Sequence, residues 1–406
     1  MMTQTIALLV DAYRELNAKR LFWVVLVLSG ILVASMACVG VNEKGVTVLW
    51  WTLEIPLLNS TVITKPVFYK SFLFIPLGVT IWLSWAATIL ALISTASIIP
   101  DFISSGSIEL SLSRPIGRLR LFLTKYLTGL LFVALQVTVF SLGAFLVIGI
   151  RGESWEPKLF IAVPLVVAFF SYLYSFCALM GLITRSTIAS LLLTVLLWVV
   201  IFLVHLGETG IVLRLKETQL MRIELAQRAI DVDIPKRIAD QEEKAKEPAA
   251  PAVTGDAEKD RKAQDEFERA NRLAARAKER ADKARQDLES MRTRLEKFKE
   301  DLPTYEQIHF WFFTAKTVLP KTSETIGLLE REMVSISDLQ GMRDAQAARI
   351  EVSEEDEALN INDVTVAERM DKVLRARSVW WVIGTSLVFE GIVLGAAAWI
   401  FCRRDF

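Results

Sequence analysis

The feature that most constrains this chain is the length of its apolar runs. Outside the interval Glu208–Arg377 the apolar residues gather in blocks of about 20, the length a helix rising about 1.5 Å per residue needs to cross a hydrocarbon core of about 30 Å. A soluble enzyme of 406 residues would spread its apolar residues over many short periodic elements. In lipid every backbone amide must be paired within its own segment, so each block is expected to be a helix. The blocks are about Leu21–Val41, Phe72–Ile98, Tyr126–Ile150, Leu159–Ile183, Thr187–Leu206 and Val379–Phe401. The expected fold class is an all-α membrane protein with six transmembrane helices. Its 46 basic and 46 acidic residues balance, and most of them lie in the insert between the fifth and sixth spans.

Four regions follow from this layout. Residues 1–20 form an amphipathic segment, with Ile6, Leu9, Val10, Tyr13 and Leu16 at helical spacing, expected as a cytoplasmic interfacial helix. Residues 21–206 contain the first five spans, residues 207–377 the insert, and residues 378–406 the last span with its tail. Asp11, Arg14, Glu15, Lys19 and Arg20 precede the first span and no small-residue cleavage site follows a short apolar core, so a signal peptide is not expected. The loop after the first span carries Trp50 and Trp51, an aromatic pair suited to a headgroup interface.

Orientation is read from Lys and Arg in the short connections. One side has Arg14, Lys19, Arg20, Arg114, Arg118, Arg120, Lys125, Arg185, Arg403 and Arg404; the other has Lys44, Lys65, Lys70, Arg151 and Lys158. That bias favours both termini in the cytoplasm, although Arg375 and Arg377 pull the other way. With six spans the insert is then extracytoplasmic.

Within the insert, the pattern is helical from about Val212 to Lys246 with an interruption at Pro235, and Pro248–Gly255 is a turn signal. From Asp256 to Asp301 a heptad seam reads Phe267, Ala270, Ala274, Ala277, Ala281, Ala284, Leu288, Met291, Leu295 and Phe298, in alternating steps of three and four. The expected structure is an antiparallel coiled-coil hairpin over about 212–301; the competing arrangement pairs the seams of two protomers. The aromatic run Ile308–Phe313 is too short to span and reads as interfacial. The acidic run Glu351–Glu357 reads as a solvated loop. Thr365 and Glu368 have capping-box spacing, from which a helix is expected to continue into the last span.

Little points to bond chemistry. Phosphate-loop, dinucleotide, GxSxG and HExxH patterns are absent. The three cysteines, Cys38, Cys177 and Cys402, lie in or beside spans with neither disulfide nor zinc spacing, and two histidines, His205 and His309, make a poor metal set. Basic and acidic residues alternate closely in the insert, which argues against nucleic-acid binding. The chain is not expected to be an enzyme.

The connection between the second and third spans, about residues 99–125, is the informative one. It reads SSGSIELSLSRPIGRLRLFLTKYLTG, and with the six-span layout, the terminal Arg403–Phe406 and the Leu-Pro segment Val318–Thr322 it resembles the ABC type-2 transporter permease family. The residues that carry the resemblance are Gly106, Leu110, Ser113, Pro115, Arg118 and Lys125. It covers the membrane part, about half of the chain, and the insert lies outside it. The resemblance implies a cell-membrane transport subunit in the bacterial inner membrane, forming a dimer with a second copy or a paralogue. ATP and Mg would be bound by a separate ABC ATPase subunit, with no cofactor on this chain. It also implies that the connection holds an ATPase-coupling segment. There Pro115 fixes a turn, Ile108, Leu110 and Leu112 offer an apolar face, and Arg114, Arg118 and Arg120 can pair with carboxylates or lipid phosphates.

Glu390 lies near the middle of the last span, where a carboxylate costs on the order of 3 kcal/mol on insertion scales, so it must face protein or water. It is expected to contact substrate, relay force, or sit as a neutral carboxyl bonded to a polar neighbour such as Gln136 or Ser84. Gly391 and Gly395 beside it form a small-xxx-small face suited to close helix packing. Two functions remain. One is a permease that exports a substrate, or acts mechanically through the hairpin on an extracytoplasmic protein partner. The other is a membrane-anchored coiled-coil scaffold or sensor without an ATPase.

Overall fold

The computed structural model describes residues 20–54, 60, 63–104, 117–246, 257–333 and 363–404. Six helices among them are long and apolar enough to cross a membrane, and the chain is a multi-pass membrane protein. Helix α1 is Arg20–Cys38, α2 Lys65–Ile103, α3 Arg118–Arg151 and α4 Pro157–Thr184. The fifth apolar helix, Thr187–Lys244, begins with α5, Thr187–His205, and includes α6, Arg214–Arg228, and α7, Ile234–Lys244. Next come α8, Ala257–Val318, α9, Thr322–Met333, α10, Asp363–Ala376, and the last span α11, Trp380–Arg403. The chain divides into two compact units, passing between them, among the described residues, at Leu206/Gly207, Phe312/Phe313 and Leu374/Arg375.

In the membrane unit α4 is central and packs against α3, α5, α9 and α11. Its apolar window is 61% buried, against 22% for α1 and α11, so α4 is the helix sheathed by protein. Lipid supplies no hydrophobic drive between helices, so close van der Waals fit must hold them. At Gly129 of α3 a Cβ would lie 2.5 Å from the Tyr174 ring of α4, so glycine is required for this approach. Exposed apolar side chains on the outer helices, such as Ile31, Ile188 and Ile392, fit a hydrocarbon environment.

The loop expected after the first span is a three-stranded antiparallel sheet, β1 Val39–Asn42, β2 Gly45–Val48 and β3 Trp51–Leu53. Asn42 pairs with Gly45 across a two-residue turn, and Gly45 takes φ 144°, which a side chain would resist. Trp50 and Trp51 are highly exposed.

In the other unit all ten seam residues of α8 are buried or half-buried, and every other position from Phe267 to Phe298 is exposed. Ala226, Ala229, Ile234 and Met291 form a buried cluster, with Leu288, Leu295 and Phe298 packed on it. Gln219 donates to the Phe298 carbonyl at 3.0 Å and Arg285 pairs with Glu242 at 2.5 Å, so contacts advance along α6–α7 as they retreat along α8. In the same unit, α10 is tied to α6 by a bidentate Arg369–Glu224 pair.

The helix expected to run unbroken into the last span is interrupted. Helix α10 ends at Ala376 and the next begins beyond Ser378. Arg331 of α9 donates to the carbonyls of Arg375 and Arg377 at 3.4 and 3.1 Å, satisfying groups that a break leaves without helical partners. The N-terminal amphipathic segment, the Pro-rich turn, the acidic run and the Thr365 side chain of the capping box lie outside the described residues.

Candidate functional site

Glu324, in the first turn of α9, is a buried carboxylate on which three basic side chains converge. The segment Val318–Thr322 creates its position: α8 ends at Val318, Pro320 cannot continue the helix, and α9 starts at Thr322. Lys321 secures this joint three ways. Its amide donates to Ser386 Oγ of α11 at 2.9 Å, and its ammonium donates to the Thr317 and Leu319 carbonyls at 2.9 and 3.1 Å. That ammonium also lies 4.8 Å above the Trp381 ring.

Three bases converge on Glu324 Oε1. His205 Nδ1 is 3.2 Å away, Arg377 reaches it at 3.4 Å, and Lys316 makes the shortest contact. Glu324, Lys316 and Arg377 side chains are all less than a tenth exposed. The Arg377 guanidinium lies beside Phe313 and Trp381, whose rings stack at 4.9 Å. Burial pushes Glu324 upward, but the bond from His205 and the charge of Lys316 prevail and hold it at about 2. Burial pulls Lys321 down to about 8; Glu324 opposes that and neighbouring Lys316 adds to it.

The placement of these bases gives the node its meaning. His205 is the residue before Leu206, where the chain leaves the membrane unit; Lys316 follows the return at Phe313; Arg377 follows the return at Arg375. One carboxylate therefore gathers the chain beside each crossing that falls among the described residues. A buried carboxylate clamped by cations fixes positions and passes on displacement; it does not supply a nucleophile. Among the described residues no group of His, Cys, Asp and Glu is assembled to hold a metal ion.

Glu390 is bonded, but not to the expected partners. Tyr126 donates to its Oε1 and Ser171 to its Oε2, both at 2.8 Å. Gln136 instead donates to the Phe22 carbonyl at 3.4 Å, and Ser84 to the Val79 carbonyl within its own helix. The reason is facing: α11 packs on α3 and α4, which brings Glu390 to Tyr126 and Ser171, while Gln136 faces α1. A Cβ added at Gly391 or Gly395 meets nothing, so no described helix packs on that small face.

Of the coupling segment, Gly106, Ile108, Leu110, Leu112, Arg114 and Pro115 lie outside the described residues. Arg118, opening α3, donates to the carbonyls of Cys402 and Arg404 at 3.2 and 3.0 Å. Arg404 in turn donates to the Leu182 carbonyl of α4, and Lys125 lies 5.4 Å above the Phe102 ring. The C-terminal tail and the ends of α3 and α4 are thus stitched together at one face of the membrane unit.

No family model matches the chain, and no curated protein or solved structure matches it.

Proposed function

We propose that the chain is the membrane subunit of an ATP-driven machine of the ABC type-2 permease kind. In this reading a separate ATPase subunit binds ATP and Mg, and two permease copies, or one with a paralogue, stand over it in the bacterial inner membrane. Both termini are cytoplasmic, and the insert is an extracytoplasmic antiparallel coiled-coil hairpin that engages a protein partner. The observation that carries the proposal is the Glu324 node, where one buried carboxylate holds bases beside three of the crossings between units, those among the described residues. A scaffold needs an anchor but has no use for such a node or for six spans. A machine that moves an insert by moving membrane helices needs both. The stitching of Arg118 and Arg404 at the opposite end of α3 and α4 suits the face on which an ATPase would push.

The test is affinity purification from mild detergent. An ATPase with a phosphate-binding loop should come down with the chain, together with an extracytoplasmic protein. Recovery of the chain without any ATPase would remove the proposal. Deleting residues 212–301 then separates the two modes of action: substrate efflux that survives deletion makes the hairpin accessory.

A further inference from the structure

We propose that the small sheet after α1 is a lipid-binding foot, whose β2–β3 turn inserts Leu49, Trp50 and Trp51 into the leaflet at which α1 ends. Helix α1 fixes the depth. Its 19 residues, Arg20–Cys38, span about 28 Å, close to the thickness of a hydrocarbon core. Cys38 therefore lies at the boundary between acyl chains and headgroups. Val39 opens β1 directly, and the Leu49 amide donates to the Cys38 carbonyl at 2.8 Å. Strand register carries that level across the sheet, since Val39 pairs with Val48 and Val48 with Trp51. Helix α2 gives the direction away from the bilayer. Tyr69 donates to the Val39 carbonyl at 2.6 Å, whereas Asn42, Glu43 and Lys44 share an open cleft with Lys65, four residues or about 6 Å nearer the start of α2. The end of α3 lies on the same side: the Arg151 guanidinium is 3.2 Å from where a Cβ on Gly40 would sit, and Trp155 beyond it is also exposed.

The sheet is polarised along its strands in the sense a bilayer surface requires. At the membrane end Trp50 is 81% and Trp51 77% exposed, Val48, Leu49 and Leu53 are exposed beside them, and no charge falls between Gly45 and Leu53. The charged pair Glu43–Lys44 forms the opposite turn, about 10 Å further along β1. Leu49 takes φ 57°, a left-handed conformation that favours glycine or asparagine, so the tip carries an apolar side chain against local preference. Lipid is the occupant because the patch continues a lipid-facing surface: the exposed residues Val27, Ile31 and Ala34 run up one face of α1 toward Cys38. Strand β3 is an edge of the sheet among the described residues, and hydrocarbon offers no partner to outward backbone groups. The strands thus stay in the headgroup layer while the indole rings reach the acyl chains. Such a foot needs only a membrane-spanning chain and no ATPase.

The test uses the full chain in phosphatidylcholine nanodiscs without any ATPase, so its failure is distinguishable from failure of the ATPase proposal. Cys38, Cys177 and Cys402 are replaced by Ala, and single nitroxide labels are attached at Trp50→Cys, Leu53→Cys and Lys44→Cys, with Ile31→Cys as the hydrocarbon reference. The Leu53 label leaves both tryptophans in place. Power saturation measures collisions of each label with oxygen, which concentrates in acyl chains, and with a water-soluble nickel chelate. Nickel collisions at Trp50 should be several-fold below those at Lys44 and oxygen collisions above them, with Leu53 between the two sites. Nickel access at Trp50 equal to that at Lys44 would overturn the proposal. So would a Trp50 label shielded from both reagents, the signature of a protein partner or a second copy on the patch. A second measurement keeps the native cysteines: the emission lost on Trp50→Phe with Trp51→Phe should be smaller in acyl-brominated phosphatidylcholine, which quenches tryptophan in lipid. A loss unchanged by bromination would also overturn the proposal.

Discussion

Replacing Glu324 with Gln keeps the shape of the node and removes its charge. Lys316 and Arg377 then remain buried with no carboxylate, and removing one partner of a buried ion pair ordinarily costs about 3–5 kcal/mol. The acid side gives a similar figure. A carboxyl held at about 2 rather than 4.5 prefers its charged form in the folded chain by about 3 kcal/mol. For a unit of this size that corresponds to a fall of roughly 6–12 °C in the unfolding midpoint. The assay is intrinsic tryptophan fluorescence during heating in detergent, since Trp381 stacks on Phe313 beside the node. A second variant isolates the cause: Glu324→Gln with Lys316→Met removes a cation along with the anion and should recover part of the loss. A midpoint within 1–2 °C of the parent for Glu324→Gln would refute the reasoning, because it would mean that the three bases do not depend on this carboxylate.

The node also sets a pH dependence with two windows. The depressed Glu324 contributes stability that is complete above pH 4.5 and lost as pH falls toward 2; Lys321, lowered to about 8, lets the unfolded chain bind more protons between 8 and 10.5, so stability should rise across that window and the rise should vanish in Lys321→Met. Glu390→Leu leaves the Tyr126 and Ser171 hydroxyls only their backbone acceptors, the Ser171 and Ala168 carbonyls, and should cost about 0.5–1.5 kcal/mol for each bond lost, whereas Glu390→Gln, which retains an acceptor, should cost less; equal losses would show that those bonds contribute nothing. Ala281→Leu overpacks a seam position only 3% exposed and should cost about 1–3 kcal/mol of stability, read as a lower midpoint, while Asp282→Leu at the exposed neighbour should not; equal effects would deny the seam.

The sequence reveals the local features and conceals the long-range ones. Apolar block length locates all six helices, but not their ends: α2 and α3 extend a turn or two past the apolar run because Lys65, Arg118 and Arg151 tolerate helix outside hydrocarbon. The alanine-rich seam is legible because its three-four spacing is a property of one helix alone. The sheet after α1 is missed, although Asn42-Glu43-Lys44-Gly45 between two valine pairs is a hairpin signal, because each strand has only three or four residues. Glu390 is identified by depth, while its partners depend on which helices α11 packs against. The Glu324 node escapes entirely. TSETIGLLERE reads as an ordinary polar helix, and two of the three bases lie 119 and 53 residues away. One cue was present: His205 and Lys316 both flank apolar or aromatic runs at the edges of the insert.

In the proposed machine, ATP-driven movement of the membrane helices passes through the Glu324 node to the insert. The direct measurement is an electron–electron distance between spin labels at the exposed position Arg276 of α8, one in each of two copies, in nanodiscs with the co-purified ATPase. In the parent chain the distance distribution should shift on ATP turnover. In Glu324→Gln, assayed well below its unfolding midpoint, ATP hydrolysis should continue while the shift is lost. An unchanged shift in Glu324→Gln, or a parent chain whose insert does not respond to ATP, would contradict the account.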